Sequence, residues 1–290
     1  MSYINLIGNL GQYTDEMSFE AISNAVLQTQ LMEYATLRSG LRAGTTAVNI
    51  LDVDIAAQAR NCSWSDNATV DFTQVDIVMN ELESKQSLCP SSLREYYLAE
   101  KLSASAHAEE TPFEEVIVNL YTEKIKNHNE KLLATDLIAK VVAGGTTTSQ
   151  AAASDADTIL ADVYALVDAI DPAYAGREDL MVFMSPTNFN FLRRALVSAN
   201  LYHFSPTDNN NVLEIPGTGF KAIKLTVDAG NIATMIAGPA KDIVVGVGLE
   251  DDFDQLKMWY SQDNDQVRVM AAWRLGLAVV NASAWSFNGL

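Results

Sequence analysis

The sequence is poor in cysteine and histidine, the usual ligands of zinc. Of its 290 residues only two are cysteine and three are histidine. Cys62 and Cys89 do not fit a metal-binding motif, and so few cysteines favour a reducing intracellular environment. His107, His128 and His203 are isolated from one another, and none has a His, Cys or carboxylate at the spacing of a zinc site. We therefore predict no metal ligands.

Catalytic and cofactor motifs are also missing. The stretch "GGTTTSQ" (144–150) lacks the lysine of a phosphate-binding loop, and "GVGLED" (246–251) lacks the third glycine of a dinucleotide motif. The run "EDDFD" (250–254) lacks the glycine and distal glutamate of a calcium loop, and no Gly-x-Ser-x-Gly elbow occurs. We predict no catalytic residue, no cofactor and no enzymatic activity. An α/β enzyme without recognisable motifs remains the alternative.

Basic residues are scarce. The chain has 19 Lys and Arg against 37 Asp and Glu, a net charge of −18, and such a surface repels the phosphates of nucleic acid. No apolar stretch approaches the roughly 18 residues that a membrane helix needs, and residues 1–17 do not resemble a signal peptide. We therefore expect neither sequence-specific nucleic-acid binding nor a membrane segment. The 48% hydrophobic content is enough for a sizeable core.

Apolar periodicity predicts a mixture of helices and strands. An arm with a short helix covers 1–44, and strand-like runs on both sides of a polar tip near 63–67 predict a long hairpin over 45–85. A hairpin with arms of about 40 Å is not stable alone in water. It must therefore pack either on its own domain or on a neighbouring subunit.

A long helix is the clearest element. Thr111, Pro112 and Glu114 form a capping sequence, and apolar residues then recur at helical spacing to about Lys140. The stretch "GGTTTSQAAAS" (144–154) is typical of a linker.

Beyond that stretch, the pattern alternates between helices and strands. Helices are predicted at 155–170 and from a Ser185 cap, with a short buried strand, "LMVFM", between them. Further strands are predicted at 222–227, 232–236 and 243–247, and a terminal hairpin is predicted from 255–261 and 267–280. One side of its second strand should carry Val267, Val269, Ala271, Trp273, Leu275, Leu277 and Val279.

The order of these elements resembles the major capsid proteins of tailed bacteriophages, which have the Hong Kong ninety-seven-like fold. Three stretches support the resemblance most: "PFEEVIVNLYTEKIKNHNEKLLATDL", "LMVFMSPTNFNFLRRAL" and the closing run from "GPAKDIVVG" to "NASAW". The resemblance implies an α+β fold with an N-arm, an E-loop hairpin, a peripheral P-domain with a long spine helix, and an axial A-domain. The expected bounds are 1–44 for the arm, 45–85 for the E-loop, 86–143 for the first P-domain part, 144–250 for the A-domain and 251–290 for the returning P-domain strands.

The resemblance also implies a function in assembly. Such a chain would form hexamers and pentamers in an icosahedral virion shell around double-stranded DNA, assembled in the host cytoplasm. A separate scaffolding protein, a portal and decoration proteins would be its partners. Trp64, Trp259, Trp273 and Trp285 are the expected assembly contacts. An isopeptide weld from an E-loop lysine should be absent, because residues 45–84 contain no lysine.

Two other structural functions remain open. An encapsulin-type shell, which encloses a cargo enzyme, uses the same fold. A tail tube or decoration protein is the other possibility.

Overall fold

The computed structural model describes residues 29–41, 44–55, 68–89, 113–149, 155–201, 211–226, 234–248, 255–261, 263 and 266–289. Several predicted features fall outside these ranges, among them the part of the arm before residue 29, the tip of the long hairpin and the "EDDFD" run. The described helices are α1 (Phe113–Gly144), α2 (Ile159–Asp168) and α3 (Pro186–Ser198). The strands are β1 (Thr36–Arg38), β2 (Gly44–Ile55), β3 (Ala68–Leu88), β4 (Thr146–Ser149), β5 (Leu180–Met184), β6 (Val212–Glu214), β7 (Lys221–Lys224), β8 (Met235–Pro239), β9 (Ile243–Val247), β10 (Gln255–Ser261), β11 (Gln266–Val279) and β12 (Ser286–Gly289).

Strand β11 organises the first of two six-stranded sheets. Its first part pairs antiparallel with β10 on one edge and with β3 on the other, and its last five residues pair with β9. Strand β1 adds to β9 in parallel, and β2 adds to β3. The strand pairs of both predicted hairpins are thereby confirmed, and the structure places them in one sheet.

The predicted alternation along β11 is confirmed. The seven residues expected on one side all lie in the main hydrophobic core, together with the inward face of α1: Val267, Val269, Ala271, Trp273, Leu275, Leu277 and Val279. Helix α1 buries Leu133, Leu137 and Val141, spaced by four residues, in the same core. This helix runs one turn beyond the predicted end at Lys140, as far as Gly144.

The second sheet has the order β4-β12-β8-β5-β7-β6. The linker predicted at 144–154 is wrong in part, because Thr146–Ser149 forms β4 and pairs in parallel with β12. The pairing partner, Ser286–Gly289, lies about 140 residues further along the chain, so local sequence gives no sign of it. The predicted strands at 222–227 and 232–236 are found at Lys221–Lys224 and Met235–Pro239.

Helices α2 and α3 cover the second sheet, and the start of α3 follows capping chemistry. Ser185 is the N-cap of α3, where its hydroxyl accepts a hydrogen bond from the Asn188 backbone N–H at 3.2 Å, and Pro186 follows at the first position as predicted. Helix α2 begins at Ile159 rather than at Asp155. The Asp155 carboxylate instead accepts hydrogen bonds from the backbone N–H groups of Asp157 and Thr158, which forms a turn before the helix.

Candidate assembly surface

The long hairpin is anchored to the body of the subunit at its base. Val48, Ile77 and Met79 are buried in a small cluster with Val244 of β9 and Ala278 of β11. From there, the antiparallel register continues to Ile55 opposite Ala68. All 12 residues of β2 are paired with β3, so the arm is about 40 Å long at 3.3 Å per residue. Of the two packing alternatives, packing on the chain's own domain is confirmed for the base.

Two glycines make room for the anchor. Gly276 of β11 is the cross-strand partner of Gly246 of β9. A Cβ atom would lie 2.9 Å from the Met79 Sδ atom at Gly276 and 2.7 Å from it at Gly246. The Met79 side chain therefore packs directly on the backbone of both strands, which explains why no side chain occupies either position.

Enlarging Gly276 should displace this anchor. We expect Gly276→Ala to lower the free energy of unfolding by about 1–3 kcal/mol, because the added methyl group overlaps Met79 and the Val78 carbonyl. Urea unfolding of the subunit measures the change. The matched control is Gly176→Ala, where nothing lies within 4 Å of the new Cβ atom, and an equal loss in both variants would contradict the anchor.

The four tryptophans expected at assembly contacts have different environments. Trp64 lies outside the described residues. Trp259 on β10 is 41% exposed, opposite Arg268 of β11. Trp273 and Trp285 are buried inside the subunit, at 4% and 0% exposed. Burial leaves these two side chains almost no surface for a neighbouring copy, so the expectation is corrected for both.

The two buried tryptophans instead join elements of one subunit. Trp273 donates its indole N–H to the Asn129 side-chain oxygen at 2.9 Å, which ties β11 to α1. Trp285 stacks on Phe183 of β5, with ring centroids 5.9 Å apart. Periodicity predicts that Trp273 faces inward, but it gives no indication of Asn129 as its partner.

A cluster of charges that sequence reasoning missed connects the two sheets. Arg177 donates to both carboxylate oxygens of Asp179, at 2.9 and 2.8 Å, and to both oxygens of Asp242, at 2.8 and 3.2 Å. Asp179 directly precedes β5 of the second sheet, and Asp242 directly precedes β9 of the first. We call these three residues the arginine clamp. A single Arg directly before two carboxylates, in "GRED" (176–179), was the available signal.

The clamp shifts the titration of its two carboxyl groups in opposite directions. The Arg177 guanidinium, through its hydrogen bonds, holds the pKa of Asp179 below its ordinary value of 3.8. Burial raises the pKa of Asp242 above 3.8, and the same guanidinium opposes that rise. The Arg177 guanidinium therefore favours the charged form of both carboxyl groups, and at Asp242 it acts against burial.

The described residues offer little that resembles an active site. Within them, no three His, Cys, Asp or Glu side chains gather as a metal site. An open groove of about 620 Å³ is lined by Thr29, Gln30, Met32, Glu33, Lys126, Glu130 and Asn211. The Thr226 hydroxyl donates to the Glu130 carboxylate in the same region, at 3.1 Å. The His128 side chain is exposed, whereas His107 and His203 lie outside the described ranges. Among the described helices, none is long and apolar enough to cross a membrane.

The architecture is shared with solved structures of particle shells. The capsid of a native GTA particle superposes with a TM-score of 0.59 at 14% identity, over 91% of this chain and 89% of that chain. The procapsid of satellite phage P4 gives 0.60 at 9% identity, over 93% and 89%. A virus-like particle from Pyrococcus furiosus gives 0.57 at 13% identity, over 96% and 100%. No protein-family model and no curated protein matches the sequence.

Structural matches at 9–14% sequence identity show the fold of this chain but not its function. The spine helix, the long hairpin, the sheet built on β11 and the α/β block nevertheless agree with the predicted order of elements over about nine tenths of the chain. The chain therefore has the Hong Kong ninety-seven-like fold of phage major capsid proteins.

Proposed function

We propose that this chain is a major capsid protein that assembles as hexamers and pentamers into an icosahedral head shell around double-stranded DNA. The observation that carries the proposal is the shared fold over about nine tenths of the chain with subunits of capsids. In this proposal the protein is structural and not an enzyme. A separate scaffolding protein, a portal and decoration proteins complete the particle.

The long hairpin supports the proposal. A two-stranded ribbon is marginally stable in water unless its faces are covered. At the base of this hairpin, Val48, Ile77 and Met79 are buried within the subunit. In a shell, a neighbouring copy would cover the remainder. We also propose Trp259 and Trp64 as contacts between copies, and the division at 1–44, 45–85, 86–143, 144–250 and 251–290 as the arm, E-loop, P-domain and A-domain segments.

The net charge supports enclosure without tight binding. A chain with charge −18 repels the phosphate backbone of packaged DNA, so a lining made of many copies would confine the duplex without holding it by sequence. Many weak contacts per subunit are enough to hold a closed shell together.

An encapsulin-type compartment is the second candidate, favoured by the virus-like particle from Pyrococcus furiosus, whose chain is covered over its whole length. The two candidates differ in content. A capsid would copurify with its phage-encoded partners and enclose DNA, whereas a compartment would enclose a cargo protein.

Assembly is tested on the purified full chain, alone and coexpressed with the products of neighbouring genes. We expect closed, uniform shells by negative-stain electron microscopy, with a particle mass that is an integer multiple of 31.6 kDa and compatible with icosahedral symmetry. Tubes, or only monomers and small oligomers under both conditions, would contradict the proposal. Nuclease-protected DNA in particles from infected cells would favour the capsid over the compartment.

A further inference from the structure

The exposed face of α3 combines apolar and basic side chains. Asn190, Arg194, Val197 and Leu201 are spaced by three or four residues and are all exposed, with Val197 at 58% and Leu201 at 40%. We call these four residues the α3 stripe. No acidic residue occurs between 180 and 201, so the stripe is a basic–apolar surface on a strongly acidic protein.

The position of Leu201 is fixed by the end of the helix. Asn200 adopts a left-handed conformation with φ of 57°, the Leu201 N–H donates to the Leu196 carbonyl at 2.9 Å, and the Asn200 N–H donates to the Val197 carbonyl at 3.1 Å. This is a Schellman cap, which normally brings its last residue into apolar contact with the helix. Here Leu201 is 40% exposed and lies at the C-terminal end of the stripe.

Helix α2 offers the complementary surface. Ala161, Ala165 and Asp168 are exposed along one side, and we call them the α2 stripe. Asp168 is the last residue of α2, and no basic residue lies in the last turn. The C-terminal end of a helix carries partial negative charge, so a carboxylate is unfavourable there by itself.

The charges around α2 reinforce this imbalance. Residues 155–179 contain seven carboxylates and one basic residue, Arg177, which is engaged in the arginine clamp. Within the ranges that the structure describes, no Lys or Arg forms an ion pair with Asp168. A cationic side chain from a neighbouring subunit would offset both the partial negative charge at the end of α2 and the charge of the nearby carboxylates.

The two helices occupy different parts of the same sheet. Helix α2 packs on β12 and β8, whereas α3 packs on β7, further along the strand order β4-β12-β8-β5-β7-β6. The helices also pack on each other, so their exposed stripes lie outside that contact. One subunit can thus contact one neighbour through its α3 stripe and a second neighbour through its α2 stripe. Head-to-tail rings require two such different surfaces on each subunit.

We propose that the α3 stripe of one subunit docks on the α2 stripe of the adjacent copy, with Arg194 paired to Asp168 and with Val197 and Leu201 packed over Ala161 and Ala165. The small alanine side chains leave space for the two larger ones. This contact, which rests on the proposed function, closes the ring of a capsomer. It also assigns opposite charges to the two sides of each intersubunit contact, which sets the direction of the ring.

A charge exchange tests the pairing in the full chain. Arg194→Glu and Asp168→Lys, each alone, place like charges together, and we expect each to lower the fraction of subunits in capsomers and shells about tenfold. The double variant Arg194→Glu with Asp168→Lys restores the pair in reverse and should recover assembly to within about threefold of wild type. Sedimentation velocity measures the assembled fraction, and Arg194→Gln provides a milder second variant.

The control is Lys131→Glu, which makes the same charge change on the exposed side of α1 and should leave assembly near the wild-type level. No variant should lower the unfolding midpoint, because the changed side chains are exposed. Asp168→Lys should raise the midpoint slightly, because it replaces a carboxylate by a cation at the C-terminal end of α2. If wild type assembles and both single variants assemble equally well, or if the double variant stays as impaired as the singles, the docking contact is wrong while the capsid function stands. If wild type itself forms no shells, the proposed function fails.

Discussion

Replacing Trp285 with alanine should lower the free energy of unfolding of the subunit by about 3–5 kcal/mol, the range for removing a large aromatic side chain from a packed core. Trp285 is fully buried, stacks on Phe183 and lies against Gly238, where the absence of a Cβ atom makes room for the indole ring. Its backbone carbonyl also accepts a hydrogen bond from Thr146 at 2.8 Å, where β4 begins. Urea unfolding followed by fluorescence and circular dichroism measures the loss.

Two further variants separate this role from assembly. Trp285→Phe should cost less than Trp285→Ala, because the ring stack is kept and the buried indole N–H, which has no hydrogen-bond partner, is removed. Trp259→Ala is the matched control for exposure. We expect it to change the free energy of unfolding by less than about 0.5 kcal/mol and to weaken assembly. A Trp285→Ala loss below about 1 kcal/mol would show that the indole is not part of the core.

Replacing Arg177 with methionine should lower the free energy of unfolding at pH 7 by about 3 kcal/mol. Removing one partner of a buried charge cluster leaves the others uncompensated, and the low end of the usual range applies because the Arg177 side chain is 33% exposed and partly screened by water. The carboxylates of Asp179 and Asp242 would then face each other near the junction of the two sheets. Chemical unfolding of wild type and variant at pH 7 gives the difference.

The difference between the two proteins should depend on pH in a definite direction. In wild type, the lowered pKa of Asp179 provides stabilisation that is present above its unfolded pKa near 3.8 and lost as pH falls through the lower folded value. The raised pKa of Asp242 works oppositely, since its penalty is relieved as pH falls through the raised folded value towards 3.8. Without Arg177, both carboxyl groups would have higher pKa values.

The Arg177→Met deficit should therefore shrink as pH is lowered from 7 towards about 4, because the higher pKa values in the variant let its uncompensated carboxylates take up protons at higher pH than those of wild type. Unfolding measurements at intervals of half a pH unit follow this convergence. A deficit that stays constant would assign the loss to packing of the arginine stem instead of its charge. Asp155→Asn is a suitable comparison, because Asp155 has a lowered pKa from hydrogen bonds within its own turn and lies outside the clamp.

Local patterns account for the elements that the sequence predicted well. Ser185 and Pro186 define the start of α3 by capping chemistry that needs no distant partner. The period of two along β11 predicts its buried side, because adjacent side chains of a strand point to opposite faces whatever they contact. Helix α1 follows from apolar spacing over many turns, although its end is one turn later than predicted.

The residues of the candidate assembly surface were harder to predict from the sequence. Tryptophan is a common residue both in cores and at interfaces, so its identity does not separate Trp259 from Trp285. The exposure of a tryptophan depends on which strands pack around it. Trp285 contacts Phe183 and Thr146, and both lie more than 100 residues earlier in the chain. The α2 and α3 stripes likewise can be recognised as candidate contact surfaces only from the tertiary structure, which places both helices on one sheet.

The sequence alone determined the acidic charge and the scarcity of cysteine and histidine, which are properties of composition. It also determined the cap of α3, the strand periods and the order of elements, because each of these depends on neighbours within a few turns. Tertiary structure alone decided that Thr146–Ser149 is a strand, that Met79 packs on two glycines, that Arg177 holds two sheets together, and which tryptophans are buried. These features depend on pairs far apart in the chain, and such pairs become neighbours only when the sheets form.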